Sequence, residues 1–90
     1  MLEADVEDEL SAGMAHLGGL YFKFRPFGII GVPDRICLLP GGRLIFVELK
    51  KPRGTVKPWQ ARMHTRLREL GFRVEVLWSI QQVRTFVLTL

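Results

Sequence analysis

The sequence feature that most constrains the fold is the segment 31–50, GVPDRICLLPGGRLIFVELK. Two apolar runs flank the tripeptide Pro40-Gly41-Gly42, which suits a three-residue hairpin loop because a glycine can take the left-handed conformation that such a loop needs. The segment therefore predicts a β-hairpin. With a three-residue loop, Leu39 pairs with Arg43, and this pair sets the register of the whole hairpin.

The predicted register places two carboxylates side by side. Asp34 falls opposite Glu48, at the end of the hairpin that lies far from the turn. Directly opposed residues of antiparallel strands share a face, with Cβ atoms about 4.5–5.5 Å apart. A two-residue loop would instead pair Asp34 with Leu49 and turn Glu48 to the other face, because a one-residue slip reverses every side chain. The carboxylate pair is therefore a prediction that depends on the register.

The two carboxylates, if adjacent, favour a metal site. They repel each other, so one takes up a proton unless a cation lies beside them. Mg²⁺ binds a few carboxylate oxygens, keeps several waters and takes its remaining ligands from phosphate. Lys50 lies two residues after Glu48 and returns to the same face. This set suits phosphodiester hydrolysis, in which a metal ion positions the nucleophile and a lysine stabilises charge on water or phosphate.

The order of these residues resembles known nucleases. Pro33-Asp34 followed by Glu48-Leu49-Lys50 resembles the PD-(D/E)XK superfamily. The longer set of Gly31 to Arg35, Phe46 to Lys50 and Gln60 is more specific, and it resembles the virus-type replication-repair nuclease family, VRR-NUC, most closely its standalone phage-type members. The resemblance implies a single domain over residues 1–90. Its fold would be a small restriction-endonuclease-like α/β core, with a mixed β-sheet flanked by helices in the order αβββαβα.

The resemblance also implies roles for site residues. Asp34 and Glu48 would bind Mg²⁺ or Mn²⁺ together with the backbone carbonyl of Leu49, and no other cofactor is expected. Lys50 would activate the water or stabilise charge, and Gln60 would contact the water or the lysine.

A further acid is expected from the first helix. Val6-Glu7-Asp8-Glu9-Leu10 matches the family's helical (Val/Ile)-Glu-x-x-Leu segment, so Glu7 is a candidate catalytic residue and metal ligand. Glu3, one helical turn earlier, is the alternative. Favourable interaction of early acids with the helix dipole explains the same residues without a metal.

Charge is distributed unevenly along the chain. Residues 1–16 contain five acids and no Lys or Arg, whereas residues 17–90 contain 13 basic residues and four acids. A basic body fits a polyanionic partner, although ordinary solvated arginines explain the same charge. With the resemblance, DNA is the expected partner. Six basic residues around the predicted site are the candidate contacts: Lys23, Arg25, Arg35, Lys51, Arg53 and Lys57.

Periodicity predicts the remaining elements. A helix is expected over residues 3–17, a strand over 20–24, a helix over 58–70, a strand over 72–78 that runs parallel to the Glu48 strand, and a helix from a capping box at 79–82 to about residue 88. In the helix over 58–70, the apolar stripe is expected in the core, whereas His64 is expected on the surface or facing DNA, with a general-base role as the alternative. The stripe consists of Trp59, Met63, Leu67 and Leu70.

Two classes of function follow from these observations. The first is a metal-dependent DNA endonuclease, which the resemblance extends to a homodimer that acts on branched DNA such as a Holliday junction. The second is a binding module, or a subunit of a replication or repair complex, that grips nucleic acid without cutting it. Because the acidic start lacks the basic region of a signal peptide and no stretch reaches membrane-span length, we expect a cytoplasmic protein, in a bacterial or phage-infected cell, with Cys37 reduced.

Overall fold

Over the part of the chain that the structure describes, the protein folds into three helices and four strands in the predicted order αβββαβα. The computed structural model describes residues 3–90, apart from the side chain of Glu3. The helices are α1 (Glu3–His16), α2 (Pro58–Glu69) and α3 (Ile80–Leu88). The strands are β1 (Leu20–Lys23), β2 (Arg35–Leu39), β3 (Arg43–Leu49) and β4 (Arg73–Leu77). The bounds agree with the sequence prediction to within a few residues.

The four strands form one mixed sheet in the order β1-β2-β3-β4. β2 runs antiparallel to both β1 and β3, and β4 is parallel to β3 as predicted. The central hairpin has the predicted register, since Leu39 pairs with Arg43, and both Gly41 (φ +85°) and Gly42 (φ +72°) adopt the left-handed conformation. One step beyond the last ladder pair of β2 and β3, the same register sets Asp34 opposite Glu48.

The two faces of the sheet are covered by different helices. The side chains of Cys37, Ile45 and Val47 belong to a large buried cluster that includes Leu10 of α1 and Val83 of α3. On the opposite face, the side chains of Ile36, Phe46 and Val74 form a smaller buried cluster, which Leu67 of α2 joins in part. The expectation of a mixed sheet flanked by helices is confirmed.

The orientation of α2 differs from the sequence prediction. Trp59 and Leu70 were expected in the core, but they are 46% and 57% exposed. The inward face of the helix instead carries His64, which is 2% exposed, together with the partly buried Met63 and Leu67. The reason is the position of the helix, which packs mainly against β4, the edge strand of the sheet, and places Leu67 on the small cluster.

The N-terminus of α3 is capped, although without the reciprocal bond of a full capping box. The hydroxyl of Ser79 accepts a hydrogen bond from the backbone N–H of Gln82 at 3.2 Å. The side-chain oxygen of Gln82 accepts from the N–H of Trp78 at 2.6 Å, one residue before the position that a capping box predicts. Over residues 3–90, no helix combines the length and the apolar character needed to cross a bilayer.

Candidate functional site

The predicted carboxylate pair lies in one cavity at the end of the central hairpin. Asp34 and Glu48 line a cavity of about 340 Å³ together with Gln60, and residues of the segment 24–32 form its other walls. Asp34 directly precedes β2, and Glu48 is the second-last residue of β3, so both acids are fixed by the sheet. Strands hold side chains more rigidly than loops, which suits a site that needs defined geometry.

The two acids differ in their environments. Glu48 is 6% exposed, and its burial, with the nearby charge of Asp34, raises the pKa of its carboxyl group to about 7. Asp34 is held by two donors. Its Oδ1 accepts a hydrogen bond from the N–H of Leu49 at 3.4 Å, and its Oδ2 lies 2.9 Å from Nη1 of Arg35. In the absence of a cation, the carboxyl group of Glu48 is therefore protonated in part of the molecules near neutral pH. A bound cation would displace that proton.

Lys50 is positioned by Gln60, as the resemblance implied. The ammonium of Lys50 donates a hydrogen bond to Oε1 of Gln60 at 2.9 Å. The same oxygen accepts from the backbone N–H of Lys57 at 2.9 Å, directly before the first turn of α2. Pro58 at the first helical position leaves no unsatisfied N–H there. The start of α2 thus fixes Gln60, and Gln60 fixes the lysine beside the carboxylate pair.

A second polar cluster connects α1 to the carboxylate pair. The guanidinium of Arg35 lies 3.2 Å from Oε2 of Glu7, and its Nε donates to the hydroxyl of Tyr21 at 2.7 Å. The Tyr21 hydroxyl in turn donates to Oε1 of Glu7 at 2.8 Å. Because Arg35 also contacts Asp34, one guanidinium joins the acid of α1 to the acid that precedes β2.

Arg35 therefore differs from its predicted role as a DNA contact. Arg35 is 4% exposed, and its guanidinium contacts the carboxylates of Glu7 and Asp34. It therefore does not lie on a surface that DNA can reach. The pKa of Arg35 is raised, because the charge of Asp34 and the contacts with Tyr21 and Glu7 outweigh the opposing effect of burial. The sequence contained a usable signal, since Arg35 lies two residues before Cys37 and so shares its inward face.

Glu7 has partners other than the carboxylate pair. Burial alone would raise the pKa of its carboxyl group, but the hydrogen bonds from Tyr21 and Arg35 outweigh that effect and leave the pKa lowered. Among the side chains of residues 4–90, no three that belong to acidic residues, histidine or cysteine are grouped closely enough to hold one metal ion. The role of Glu7 as a third ligand stays a prediction, and the alternative, the side chain of Glu3, lies outside the described residues.

Sequence reasoning missed two residues of this site. Tyr21 was predicted only as a strand aromatic, yet burial first, and then its hydrogen bond to Glu7, raise the pKa of its hydroxyl. His64 was predicted on the surface, and that prediction is wrong, because its Nε2 is buried without a hydrogen-bond partner. Burial first, and then the charges of Arg68 and Lys50, lower the pKa of His64. No sequence signal fixes which way the helix turns this side chain.

The other predicted DNA contacts are exposed. They are Lys23, Arg25, Lys51, Arg53 and Lys57. Arg25 lines the carboxylate cavity itself. The loop that carries three of the lysines and arginines, residues 51–57, is tied to the body of the protein because the indole N–H of Trp78 donates to the carbonyl of Gly54 at 2.8 Å. Of these five residues, Arg25 lines the cavity, and Lys57 directly precedes the helix that carries Gln60.

Comparisons with known proteins agree with this geometry. No family model matches the chain. A curated protein named "Putative nuclease p44", from Acyrthosiphon pisum secondary endosymbiont phage 1, is 44% identical over 77 residues, which are 86% of this chain and 83% of that protein. A solved structure described as "VRR_NUC domain" superposes with a TM-score of 0.87 at 35% identity, over 94% of this chain and 92% of that one. With the hairpin register, the carboxylate pair and the lysine held by glutamine, these likenesses establish that the chain belongs to the VRR-NUC family of nucleases.

Proposed function

We propose that the protein is a DNA endonuclease that hydrolyses phosphodiester bonds with Mg²⁺ or Mn²⁺. One observation carries the proposal: Glu48, a carboxylate that is only 6% exposed, shares a cavity with Asp34, and its pKa is raised to about 7. A folded protein that keeps two acids this close bears an electrostatic cost. A divalent cation beside the two carboxylates removes that cost, and the two carboxylates would then serve as its ligands.

The residues present fit such an ion. Asp34 and Glu48 would hold it, with the carbonyl of Leu49 and, in the wider proposal, Glu7 as further ligands. Two carboxylates suffice for Mg²⁺, which usually retains several waters and takes phosphate oxygens from its substrate. When bound, such an ion polarises a phosphate oxygen and lowers the pKa of a water molecule.

The protein's own side chains supply the remaining functions. Gln60 holds the ammonium of Lys50 beside the carboxylates, where its charge stabilises negative charge that develops on phosphate or water. Arg35 fixes Asp34 in one orientation through the contact at 2.9 Å. In this proposal two exposed basic residues bind the flanking phosphates: Arg25, which lines the cavity, and Lys57, which directly precedes α2.

The proposal extends to a homodimer that cuts branched DNA such as a Holliday junction. Two symmetric active sites would cut paired strands, and the family resemblance favours this arrangement. A groove of about 370 Å³ between α1 and α3, lined in part by Gly13, Val87 and Leu88, offers apolar surface for a second copy. Leu88 is 87% exposed in the isolated chain.

The experiment compares cleavage of a labelled four-way DNA junction with cleavage of the matching linear duplex, in Mg²⁺, Mn²⁺ or chelator. We expect metal-dependent cleavage that falls about 10²- to 10³-fold in Glu48→Gln, because an acid of the site is replaced by a neutral group of the same shape. Glu75→Gln is the matched control, since Glu75 lies on β4 and pairs with Arg73 away from the cavity.

Each outcome decides a different part of the proposal. Paired cuts in the junction alone support the dimeric, branch-specific enzyme. Equal cutting of both substrates keeps the nuclease and removes the branch preference. Binding without cleavage in every metal would overturn the catalytic proposal and favour a binding module.

A further inference from the structure

The loop between β1 and β2 is a fixed projection beside the carboxylate cavity. Its base is closed where the N–H of Phe24 donates to the carbonyl of Asp34 at 2.9 Å. Near its end, Gly31 (φ +85°) lies so close to the start of α2 that a Cβ atom would come within 2.6 Å of the carbonyl oxygen of Trp59. Only glycine fits this close approach. Both ends of the loop are therefore tied to the site residues or to α2.

The side chains of this loop are apolar and exposed. Phe27 has a relative exposure of 104%, so its ring makes almost no contact with the rest of the protein. Ile30 is 74% exposed, Ile29 54% and the neighbouring Trp59 46%. We call these four residues the apolar rim. Exposed apolar residues that are grouped beside a functional site usually mark an interaction surface.

The position of the apolar rim indicates what binds there. Arg25, Pro26 and Ile29 line the same cavity as Asp34 and Glu48. A second protein that covered this loop would obstruct the cavity, so the occupant that fits best is the substrate itself. Phosphates are anionic and offer the rim no apolar surface, whereas the flat faces of nucleobases do. In a continuous duplex those faces are stacked and inaccessible.

We propose that the apolar rim, with Phe27 at its tip, stacks against a nucleobase that is unpaired or splayed beside the scissile phosphate. Aromatic side chains stack on bases of any sequence, and inserted apolar side chains open base steps. The rim would therefore select branched or frayed DNA over a continuous duplex. This inference rests on the proposed nuclease function and specifies its substrate class.

The test uses the full chain with Glu48→Gln as a non-cleaving background. The probe is a four-way junction with 2-aminopurine at the branch, beside a linear duplex that carries 2-aminopurine at its centre, and both fluorescence and affinity are measured. We expect Phe27→Ser to abolish the fluorescence change at the branch and to weaken junction binding about tenfold, while duplex binding is unchanged. Phe27→Trp should retain both signals. Leu20→Ser, which alters an exposed apolar side chain at the start of β1, is the matched control.

Three results would overturn the inference. Phe27→Ser could keep the fluorescence change and the junction preference. It could weaken junction and duplex binding equally, as a general contact would. It could also convert a dimer to a monomer in sedimentation, which would make the rim an interface between copies. Failure of the proposed function is a separate result, namely no metal-dependent cleavage by the chain with Glu48 intact, whatever the fluorescence shows.

Discussion

The two faces of the sheet differ in what they contain. On the face covered by α1 and α3, eleven buried apolar residues form one cluster. On the face covered by α2, the corresponding cluster has three, and the same side of the sheet carries the carboxylate pair and the cavity. His64 of α2 is buried there with an unpartnered nitrogen. The face covered by α1 and α3 therefore supplies most of the apolar burial. The face covered by α2 has less apolar burial and holds polar groups and a cavity.

This division explains how a chain of 90 residues can carry a polar candidate site. A small domain buries a modest share of its surface, so few positions can hold polar groups without loss of the fold. Of the three buried polar groups among the described residues, Glu48 and His64 lie on the face that contributes less to the core. The third, Arg35, shares the face of Cys37, where its charge is paired with Glu7 and Asp34. Four predictions test this difference between the two faces of the sheet.

The largest expected effect is the contrast between Val47→Ala and Val74→Ala. Both changes remove the same two methyl groups, but Val47 is 0% exposed in the large cluster and Val74 is 4% exposed in the small one. We expect the free energy of unfolding to fall by about 2–3 kcal/mol for Val47→Ala and by about 1–2 kcal/mol for Val74→Ala. Denaturant unfolding in chelator measures both. Equal losses in the free energy of unfolding would contradict the difference between the two faces.

The next effect concerns Glu48 and pH. Burial, and then the charge of Asp34, raises its pKa to about 7 in the folded protein, from an ordinary value of 4.5. The folded protein therefore holds this proton more tightly than the unfolded chain, and the stability that Glu48 contributes is lost as the pH rises from about 4.5 through about 7. Glu48→Gln stays neutral. It should be more stable than the wild type by about 1–3 kcal/mol at pH 8 in chelator.

The measurement is the melting temperature of both proteins between pH 4 and pH 8. The two curves should meet near pH 4 and separate as the pH rises. Excess Mn²⁺ should raise the melting temperature of the wild type more than that of the variant, because only the wild type keeps both acids. Parallel curves at all pH values would show that Glu48 is not perturbed.

A smaller effect is expected at His64. Burial lowers its pKa, so the folded state disfavours the protonated ring, and stability is lost as the pH falls below about 6.5, the ordinary value. His64→Leu removes both this effect and the unpartnered Nε2. We expect a gain of about 1–2 kcal/mol at pH 7 and a larger gain at pH 5.5, measured by denaturant unfolding. A loss of stability at both pH values would mean that the ring packs better than leucine does.

The smallest effect on the fold, but a measurable one on binding, is expected for Lys57→Ala. Removing this exposed lysine should reduce the slope of log affinity against log salt concentration for DNA by about 1, without a change in stability. Its backbone N–H, which contacts Gln60, is retained. Arg84→Ala is the control, because Arg84 lies on α3 and pairs with Glu9. An equal change in both slopes would show that DNA does not favour the face of α2.

The parts of the molecule that could be predicted from sequence are those fixed by short-range geometry. The tripeptide Pro40-Gly41-Gly42 determined the loop length, the loop length determined the register, and the register placed Asp34 opposite Glu48. The contact between Gln60 and Lys50 followed from the family resemblance alone. The contact requires the loop 50–57 to bring the start of α2 back to β3, and periodicity does not specify the path of that loop.

The parts that could not be predicted depend on how α2 is rotated and placed. The apolar pattern placed Trp59 and Leu70 in the core and His64 on the surface, and both placements were wrong, because the pattern does not show that the helix packs mainly on the edge strand β4. The link from Arg35 to Glu7 depends on the distance between α1 and β2, which no local pattern encodes. Strand parity, however, was sufficient to predict that Arg35 points inward beside Cys37.

The single oxygen of Gln60 that accepts hydrogen bonds from both Lys50 and the N–H of Lys57 has a dynamic consequence. Helix termini open more readily than a sheet core, and they do so without global unfolding. Whenever the first turn of α2 frays, the ammonium of Lys50 loses its anchor while both carboxylates stay in place. Amide hydrogen exchange at Lys57 therefore measures how often this hydrogen bond opens and Lys50 is released.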